Sequence, residues 1–305
     1  MQPVYKQEYN LITILGPTAT GKTKLAAELA NHFSGEIISA DSRQVYKRMD
    51  IGTGKDLNDY VVDDTRINYH LIDIIEPEDE YNLYSFIEHF NIAYNDISKR
   101  KKLPFLVGGT GLYLSAVLQK YELKKADFIA AKKFETYSLD ELKKLLINLN
   151  PKLHNTTDLV DRERIIKSII IEQSNIEKKL KAEQIKSFNI GIRTEREEIK
   201  KRITTRLKKR LSEGMIEEVE TLIKDGIDYK RLKLFGLEYK FIAMHLNNEL
   251  SYNDMFQKLN SAIHNFAKRQ MTWFRKMERE GVKINWIDGA DYEKAKNLIE
   301  MNFDL

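Results

Sequence analysis

The sequence predicts an α/β protein, in which a parallel sheet is flanked by helices and followed by a small helical insertion domain and long C-terminal helices. Three observations predict this fold. Short apolar runs alternate with helical patterns over the first 115 residues, glycine-rich turns follow two of these runs, and strand character ends near Leu118. Alternating strands and helices are typical of a parallel sheet, which binds ligands beyond the carboxyl ends of its strands.

The spacing of apolar residues predicts the individual elements. Strands are predicted at Leu11–Leu15, Glu36–Ser39, Tyr69–Ile72 and Leu103–Val107, and helices at Lys22–Phe33 and Tyr84–Lys99. Residues 119–190 are rich in Lys, Glu, Leu and Ile and are predicted to form the helical insertion domain, with helices at Ser138–Leu149 and Arg162–Gln173. Residues 1–118 and 191–305 then form the core domain.

Two long amphipathic helices are predicted near the C-terminus. In the first, apolar residues recur every four positions until Gly214 interrupts the pattern: Ile199, Ile203, Leu207 and Leu211. In the second, residues from Phe256 to Met277 form a stripe with three- and four-residue spacing that includes Phe266 and Trp273. We expect these aromatic side chains to lie in the core rather than on a base-stacking surface.

The turn after the first strand carries a phosphate-binding pattern. Its residues, Gly16-Pro17-Thr18-Ala19-Thr20-Gly21-Lys22-Thr23, fit G-x-x-x-x-G-K-[ST] between a predicted strand and a predicted helix. The backbone N–H groups of such a turn, the helix N-terminus and the lysine ammonium attract phosphate oxygens, and the Thr23 hydroxyl can hold Mg²⁺. A turn that only packs would not need Lys-Thr after its last glycine. The pattern predicts a P-loop NTPase-like fold and leaves the phosphate compound open.

Composition and charge narrow the classes of function. The 305 residues include no cysteine, which excludes disulfides, thiolate zinc sites and cysteine nucleophiles and fits a reducing compartment. There is no signal-peptide pattern and no apolar run long enough to span a membrane, so we expect a cytoplasmic location. Residues 193–213 hold 9 Lys/Arg against 4 Asp/Glu, and residues 258–283 hold 7 against 2. This basic C-terminal half suggests a polyanionic partner, although a solvated helix surface has the same composition.

Polar residues follow two of the predicted strands. Asp41 follows the second strand, where its carboxylate could act as a general base, hold Mg²⁺ through water or cap a helix. Another strand ends in Gly108-Gly109-Thr110 rather than in the acidic residue that an NTP hydrolase uses for Mg²⁺. Asp73 could substitute for that acid, but its neighbours favour a strand-to-loop transition. The glycine pair allows either a ligand contact by the Thr110 hydroxyl or a tight structural turn.

The last long helix carries a cluster of basic residues. Lys268, Arg275 and Arg279 share one face of it, and Arg269 and Lys276 share a neighbouring face. Such a surface could follow a phosphate backbone and leave Gln270 free to hydrogen-bond a base. A solvated helix face is the alternative.

Taken together, these segments resemble the tRNA dimethylallyltransferase (tRNA isopentenyltransferase) family. The resemblance rests on the phosphate-binding turn and on five further segments: Asp41-Ser42-Arg43-Gln44-Val45-Tyr46, Met49-Asp50-Ile51-Gly52-Thr53, His70-Leu71-Ile72-Asp73, Gly108-Gly109-Thr110-Gly111-Leu112-Tyr113, and Ala267-Lys268-Arg269-Gln270 with Trp273. The segment from Arg196 to Val219 matches more weakly, through Arg202-Ile203, Arg206 and Gly214-Met215-Ile216-Glu217-Glu218-Val219. Order and spacing hold over about 230 residues.

The resemblance implies a reaction and a role for each matched residue. The family transfers a dimethylallyl group from dimethylallyl diphosphate to the exocyclic amine of the adenosine 3′ of the tRNA anticodon. It implies that Gly16–Thr23 bind diphosphate rather than ATP, with Lys22 and Mg²⁺ balancing its charge, that Asp41 is the general base, and that Thr110 contacts the target nucleotide. The implied tRNA contacts are Asp41, Ser42, Arg43, Gln44, Thr110, Arg164, Lys167, Lys268, Arg269, Gln270 and Arg275. We expect a monomer that does not associate with membranes.

Three departures from the family pattern affect the acceptor side. Glu238, in Gly236-Leu237-Glu238, replaces a cation of the family pattern, and Lys240 is not assumed to take its place. Lys167 replaces an arginine and Ile170 replaces a glutamate, and a lysine lacks the planar fork of arginine. The insertion domain is also expected to be shortened by tens of residues after Leu118.

Other functions remain open at this point. An adenylate isopentenyltransferase would use a free nucleotide; the short insertion and Glu238 favour it, whereas the basic helix does not. A small-molecule P-loop kinase would phosphorylate a metabolite from ATP, and a catalytically idle RNA-binding relative would do neither.

Overall fold

The computed structural model describes residues 9–126, 128–151, 161–174, 179–182 and 184–303. The chain divides into two compact units, of which the first comprises Met1–Lys120 with Ala182–Leu305 and the second Tyr121–Lys181. Residues 182–190, which the sequence pattern placed in the insertion, therefore belong to the first unit. They include the start of a strand of the main sheet.

The first unit is built on a six-stranded parallel sheet with the order β10-β9-β1-β6-β2-β5. The strands in chain order are β1 Leu11–Leu15, β2 Gly35–Ala40, β3 Val61–Val62, β4 Thr65–Arg66, β5 Tyr69–His70, β6 Leu103–Gly108, β7 Leu123–Lys124, β8 Lys179–Leu180, β9 Ser187–Arg193 and β10 Asn285–Asp288. β3 pairs with β4 and β7 pairs with β8, each in a short antiparallel ladder.

Helices flank this sheet within the first unit, and helices also form much of the second unit. They are α1 Lys22–His32, α2 Leu83–Lys99, α3 Gly111–Leu118, α4 Leu139–Leu149, α5 Arg162–Gln173, α6 Arg196–Ser212, α7 Met215–Lys224, α8 Tyr229–Leu232, α9 Leu237–Leu246, α10 Tyr252–Arg279 and α11 Tyr292–Glu300. Within the described residues, none of these helices has the length and apolar character needed to cross a membrane.

The structure confirms the predicted fold class and most element positions. The predicted strand at Tyr69–Ile72 is shorter, because Leu71 and Asp73 have positive φ angles of 64° and 54° that end the extended backbone. Two strands of the six-stranded sheet, β9 and β10, were not predicted, nor were the four short strands of the two antiparallel ladders. β9 lies between β1 and β10, and its residues Phe188 to Ile192 are all buried. Apolar residues alternate with polar or small ones along this segment, so a period-two strand signal was present but was not used in the prediction.

Three apolar clusters can be traced among the described residues, and α2 and α3 carry further buried apolar residues. One joins α1 and α11 to the sheet, a second joins α6, α7, α9 and α10 to the loop at Val45–Met49, and the third lies within the second unit around α4 and α5. The expectation that the aromatic stripe of α10 is core is wrong for Phe266, whose side chain is 37% exposed. Trp273 is only partly buried.

Candidate active site

The site forms where three neighbouring parallel strands end. Leu15 of β1 and Ala40 of β2 both lie in register with Gly108 of β6, which is the strand between them. The phosphate-binding turn, Asp41 and the Gly109-Thr110 turn therefore begin at the same edge of the sheet. This is the position that the alternating pattern predicted for a ligand site.

The phosphate-binding turn is compact and closely packed. The Thr20 hydroxyl donates to the Pro17 carbonyl at 2.9 Å, and the Lys22 Nζ donates to the same carbonyl at 2.6 Å. Burial lowers the pKa of Lys22 from 10.5 to about 7; repulsion from Arg206 adds to this effect and attraction to Asp41 opposes it. The Lys22 amine is therefore close to the balance between its charged and neutral forms at neutral pH, and a nearby anion would favour the charged form.

Two arginines of α6 extend this cationic end of the site. Arg206 donates to the Thr18 hydroxyl within the turn. Burial, and then repulsion from Arg210, lower the pKa of Arg206 to about 10. Arg210 is itself buried and donates to Asp56 Oδ2 at 3.2 Å. Gly54 lies against its guanidinium, and its φ of 70° is in the left-handed region that favours glycine.

Sequence reasoning matched Arg206 to a motif without giving it a role. A signal was available, because Arg202, Arg206 and Arg210 recur every four residues beside the apolar stripe of α6. Spacing of this kind puts cations next to the buried face of a helix. The spacing alone does not show which neighbouring loop these arginines contact.

Asp41 and Thr110 lie together in a cavity of about 470 Å³. Asp41 Oδ1 accepts from the Arg43 backbone N–H at 2.8 Å, and the Thr110 hydroxyl accepts from the Ser42 N–H at 3.2 Å. Asp41 does not cap a helix, because the next helical element after β2 begins only at Leu57. The second carboxylate oxygen of Asp41 carries none of these local hydrogen bonds. The cavity is also lined by Thr18 and Arg206, so it reaches the phosphate-binding turn.

Gln270 of α10 joins the two turns of the site. Its Oε1 accepts from the Thr18 N–H at 2.8 Å, and its Nε2 donates to the Gly109 carbonyl at 2.9 Å. The expectation that Gln270 is free to hydrogen-bond a base is therefore wrong: its side chain is buried and both ends of its amide are engaged. A Cβ at Gly109 would collide with the Gln270 amide and would displace it from these hydrogen bonds.

The basic residues of α10 separate into two groups. Arg269 lines the Asp41 cavity beside Phe266 and Trp273. Lys268 and Arg275 instead line a different cavity, of about 1050 Å³, with residues from the start of α6. The two neighbouring basic faces that the sequence predicted thus line two different cavities.

The other predicted acceptor-side residues have different surroundings. Ser42 and Arg43 line the Asp41 cavity. Gln44 is partly buried, and its amide is engaged: its Nε2 donates to the Gly54 carbonyl at 3.1 Å and its Oε1 accepts from the Ser39 hydroxyl at 3.2 Å. In the second unit, Arg164 and Lys167 are both exposed on α5, where a spacing of three residues puts them on one face.

Glu238 lines the Asp41 cavity, and Lys240 does not. Burial raises the pKa of the Glu238 carboxyl above its ordinary value, and the charges of Arg210 and Arg206 oppose the rise. Lys240 is exposed and lies over the ring of Phe241. Glu238, which replaces a cation of the family pattern, therefore adds a carboxyl group to the cavity, and Lys240 does not supply a positive charge there.

The acidic groups near the site do not form a metal cage of their own. Among the described residues, no group of three or more His, Asp or Glu side chains is arranged to hold a metal ion. Asp73 is engaged elsewhere, because its carboxylate accepts from the buried ammonium of Lys55. A divalent cation here would depend on oxygens from a bound phosphate compound, together with the Thr23 hydroxyl; this arrangement is common for Mg²⁺.

Comparison with known proteins identifies relatives along almost the whole chain. The family model described as IPP transferase matches residues 44–277, and the model described as isopentenyl transferase matches residues 9–76. A protein named tRNA dimethylallyltransferase 1 from Geotalea uraniireducens is 50% identical over 300 residues, which cover 96% of this chain and 98% of that protein. The tRNA dimethylallyltransferase 2 of Pelobacter propionicus is 51% identical over 287 residues, covering 92% of this chain and 90% of that protein.

Solved structures are similar as well. The full-length tRNA isopentenylpyrophosphate transferase from Bacillus halodurans is 30% identical, with a TM-score of 0.67 over 97% of this chain and 95% of that one. A eukaryotic dimethylallyltransferase acting on tRNA has the same fold, with a TM-score of 0.72 at 22% identity over 95% of this chain and 76% of that one.

Two conclusions follow from these matches. The Geotalea relative has nearly the same length as this chain, so relative to it the insertion has not lost tens of residues, and the expected shortening is wrong for this comparison. The extent of the family match and the identity to the curated relatives show that the chain belongs to the tRNA dimethylallyltransferase family of prenyl-transferring enzymes.

Proposed function

We propose that the protein transfers a dimethylallyl group from dimethylallyl diphosphate to the exocyclic amine of the adenosine 3′-adjacent to the tRNA anticodon and releases diphosphate. One observation carries the proposal. Asp41 and Thr110 share a cavity with the Thr18 end of the phosphate-binding turn and with Arg206. A proton acceptor and a diphosphate cradle then face the same space, as an alkylation with a diphosphate leaving group requires.

The donor would bind at the turn Gly16–Thr23. Its diphosphate would interact with the backbone amides of the turn, with Lys22 and with Arg206, which already contacts Thr18. Mg²⁺, bound to the diphosphate and the Thr23 hydroxyl, would supply charge neutralisation for the leaving group. The cations supplied by the chain would meet the negative charge that develops as the C–O bond breaks.

The acceptor chemistry would depend on Asp41 and Thr110. The amine nitrogen attacks C1 of the dimethylallyl group, the bond from C1 to the diphosphate oxygen breaks, and the amine proton passes to the free oxygen of Asp41. A carboxylate of low pKa is sufficient, because the amine proton becomes acidic as the C–N bond forms. Thr110 would contact the target nucleotide. The adenine has to leave its stack to enter the cavity.

Each unit carries residues that we propose contact RNA. Ser42, Arg43 and Arg269 line the Asp41 cavity, and Arg164 and Lys167 are exposed on α5. Lys268 and Arg275 would contact the phosphate backbone from the other face of α10. Gln270 and Gln44 are better described as positioning residues, because internal hydrogen bonds engage their amides.

Transfer of a labelled group tests the proposal. Purified protein and labelled dimethylallyl diphosphate are mixed with unmodified tRNA in one reaction and with AMP in a second. We expect label on tRNA and none on AMP. Label on AMP alone would support an adenylate isopentenyltransferase, and rapid ATP turnover without RNA would support a kinase. A kinase is disfavoured because β6 ends in glycine and Asp73 is paired with Lys55.

Asp41→Asn tests the proton acceptor. The amide keeps an oxygen for the Arg43 N–H but cannot take a proton at neutral pH, so we expect kcat to fall by about 10²- to 10⁴-fold. The affinity for tRNA should stay within a few-fold, measured by filter binding. Asp291→Asn, which changes a helix cap outside the cavity, is the matched control. A large loss of tRNA affinity with Asp41→Asn would instead make Asp41 a structural residue.

A further inference from the structure

Phe266 lies at the edge of the apolar face of α10, on the side of the Asp41 cavity. Its neighbours along the stripe, Leu259, Ile263 and Phe274, are buried, whereas the Phe266 side chain is 37% exposed. Phe266 also lines the cavity that contains Asp41. An aromatic side chain is therefore left partly in water at the mouth of the space that the acceptor nucleotide would enter.

The guanidinium of Arg269 lies 6.0 Å from the centre of the Phe266 ring. Arg269 is exposed and lines the same cavity. Within the described parts of the chain, Arg269 forms no ion pair with an acidic side chain, in contrast to its neighbour Lys276, which pairs with Glu280. The pair thus combines an exposed ring with a planar cation that lies over it and has no acidic partner among the described residues.

Aromatic rings and arginine planes are the groups on which proteins stack unpaired RNA bases. An adenosine that leaves the anticodon loop to reach Asp41 carries its two neighbouring nucleotides to the mouth of the cavity. Those nucleotides have lost a stacking partner, and a ring at the rim can replace it. Enclosure of the dimethylallyl chain would need a buried apolar wall, so the exposure of Phe266 favours a base over the alkyl chain.

We propose that Phe266 and Arg269 form a stacking platform for a base that flanks the acceptor adenosine. This inference rests on the proposed function, because it assigns the RNA side of the same site. The platform holds the loop open around the flipped nucleotide. It adds to RNA binding without touching the reacting atoms.

Kinetics with an anticodon stem-loop test the platform. We expect Phe266→Leu, which keeps apolar bulk but loses the ring, to raise the KM for RNA about tenfold. The KM for dimethylallyl diphosphate should stay within twofold, and Phe266→Tyr should restore the KM for RNA. Tyr252→Leu, which alters another exposed aromatic residue of α10, is the matched control and should change neither constant. An unchanged KM for RNA in Phe266→Leu would overturn the proposal.

Abasic stem-loops identify the base and separate stacking from a loss of folding. Two substrates are made, one abasic at the nucleotide before the acceptor adenosine and one abasic at the nucleotide after it. One of these substrates should have an RNA KM about tenfold higher with the wild-type protein and no further increase with Phe266→Leu. If the abasic substitution and Phe266→Leu each raise the RNA KM independently, the two changes do not remove the same contact, and the proposal is contradicted.

A measurement of RNA binding, without catalysis, tests the stacking platform independently of the proposed function. Fluorescence anisotropy with the same RNAs, without donor, measures the platform even if the wild-type protein transfers no label. Absence of transfer would refute the proposed function. Equal RNA affinity of the wild-type protein and Phe266→Leu would refute the platform.

Discussion

The charge of Lys22 depends on what lies beside it. The ammonium donates to the Pro17 carbonyl, and desolvation lowers its pKa to about 7. A diphosphate bound to the turn would favour the charged form and raise this pKa. Lys22 therefore couples donor binding to proton uptake.

This coupling predicts a pH dependence for donor binding. Because the pKa of Lys22 is lowered in the free protein, Lys22 is largely neutral at pH 8, and binding of diphosphate there should take up about one proton. Below pH 7 Lys22 is already protonated, so this uptake should disappear. Calorimetry at pH 8 in two buffers of different ionisation enthalpy measures it. Lys22→Arg, which stays charged, is the control; equal proton uptake by both proteins would contradict the prediction.

Glu238 opposes the cations that the donor needs. It lines the cavity with Arg206 and Arg210, and burial raises its pKa. We expect Glu238→Gln to lower the KM for dimethylallyl diphosphate several-fold, because it removes a negative charge beside the two guanidiniums. Acidification protonates Glu238 itself, so the difference between variant and wild type should shrink as pH falls. An unchanged or higher donor KM at pH 8 would show that the carboxylate does not oppose the donor.

At the scale of elements, α10 aligns the two turns of the site. Gln270 binds the Thr18 N–H with one end of its amide and the Gly109 carbonyl with the other. The phosphate-binding turn follows β1 and the Gly109 turn follows β6, and the pairing of these neighbouring strands brings both turns to one edge of the sheet. The hydrogen bonds of one buried side chain, on a helix distant in sequence, then link the two turns.

Gln270→Glu tests this alignment. The variant keeps an acceptor for the Thr18 N–H but places an oxygen against the Gly109 carbonyl and loses the donor. We expect the free energy of unfolding to fall by about 1–3 kcal/mol and the donor KM to rise. Urea unfolding and steady-state kinetics measure the two effects. Gln257→Glu, on the exposed face of the same helix, should change neither. Wild-type stability in Gln270→Glu would mean that other contacts hold the turns.

At the scale of the whole molecule, the sheet is completed by late segments of the chain. β9 pairs along the full length of β1, and β10 pairs with β9. α11 packs in the same cluster as α1 and the sheet. The phosphate-binding motif therefore lies on a strand that is central only when residues after 186 are present.

A fragment of residues 1–120 should accordingly fail to fold. Without β9, the strand β1 becomes an edge strand whose five residues, all buried in the intact protein, are exposed on one side. We expect no cooperative urea transition, measured by circular dichroism, whereas the full chain should give one. A cooperative transition in the fragment, at the midpoint of the full chain, would contradict this expectation.

The prediction from sequence succeeded where the information is local. The turn Gly16–Thr23, β1, α1 and α5 depend on neighbouring residues, and their bounds were predicted to within a residue or two. The meeting of Asp41 and Thr110 also followed, because the carboxyl ends of parallel strands share one edge. The roles assigned to these residues stay proposals.

The sequence by itself determined the phosphate-binding motif, the α/β pattern and the resemblance to one family. Only the tertiary structure decided that Gln270 is engaged, that Arg206 reaches Thr18 and that Phe266 is exposed. It also decided that β9 and β10 complete the sheet. These features depend on contacts between residues more than a hundred positions apart, for example Thr18 with Gln270 and with Arg206. The periodicity of one helix fixes which residues share a face, but only packing decides what that face meets.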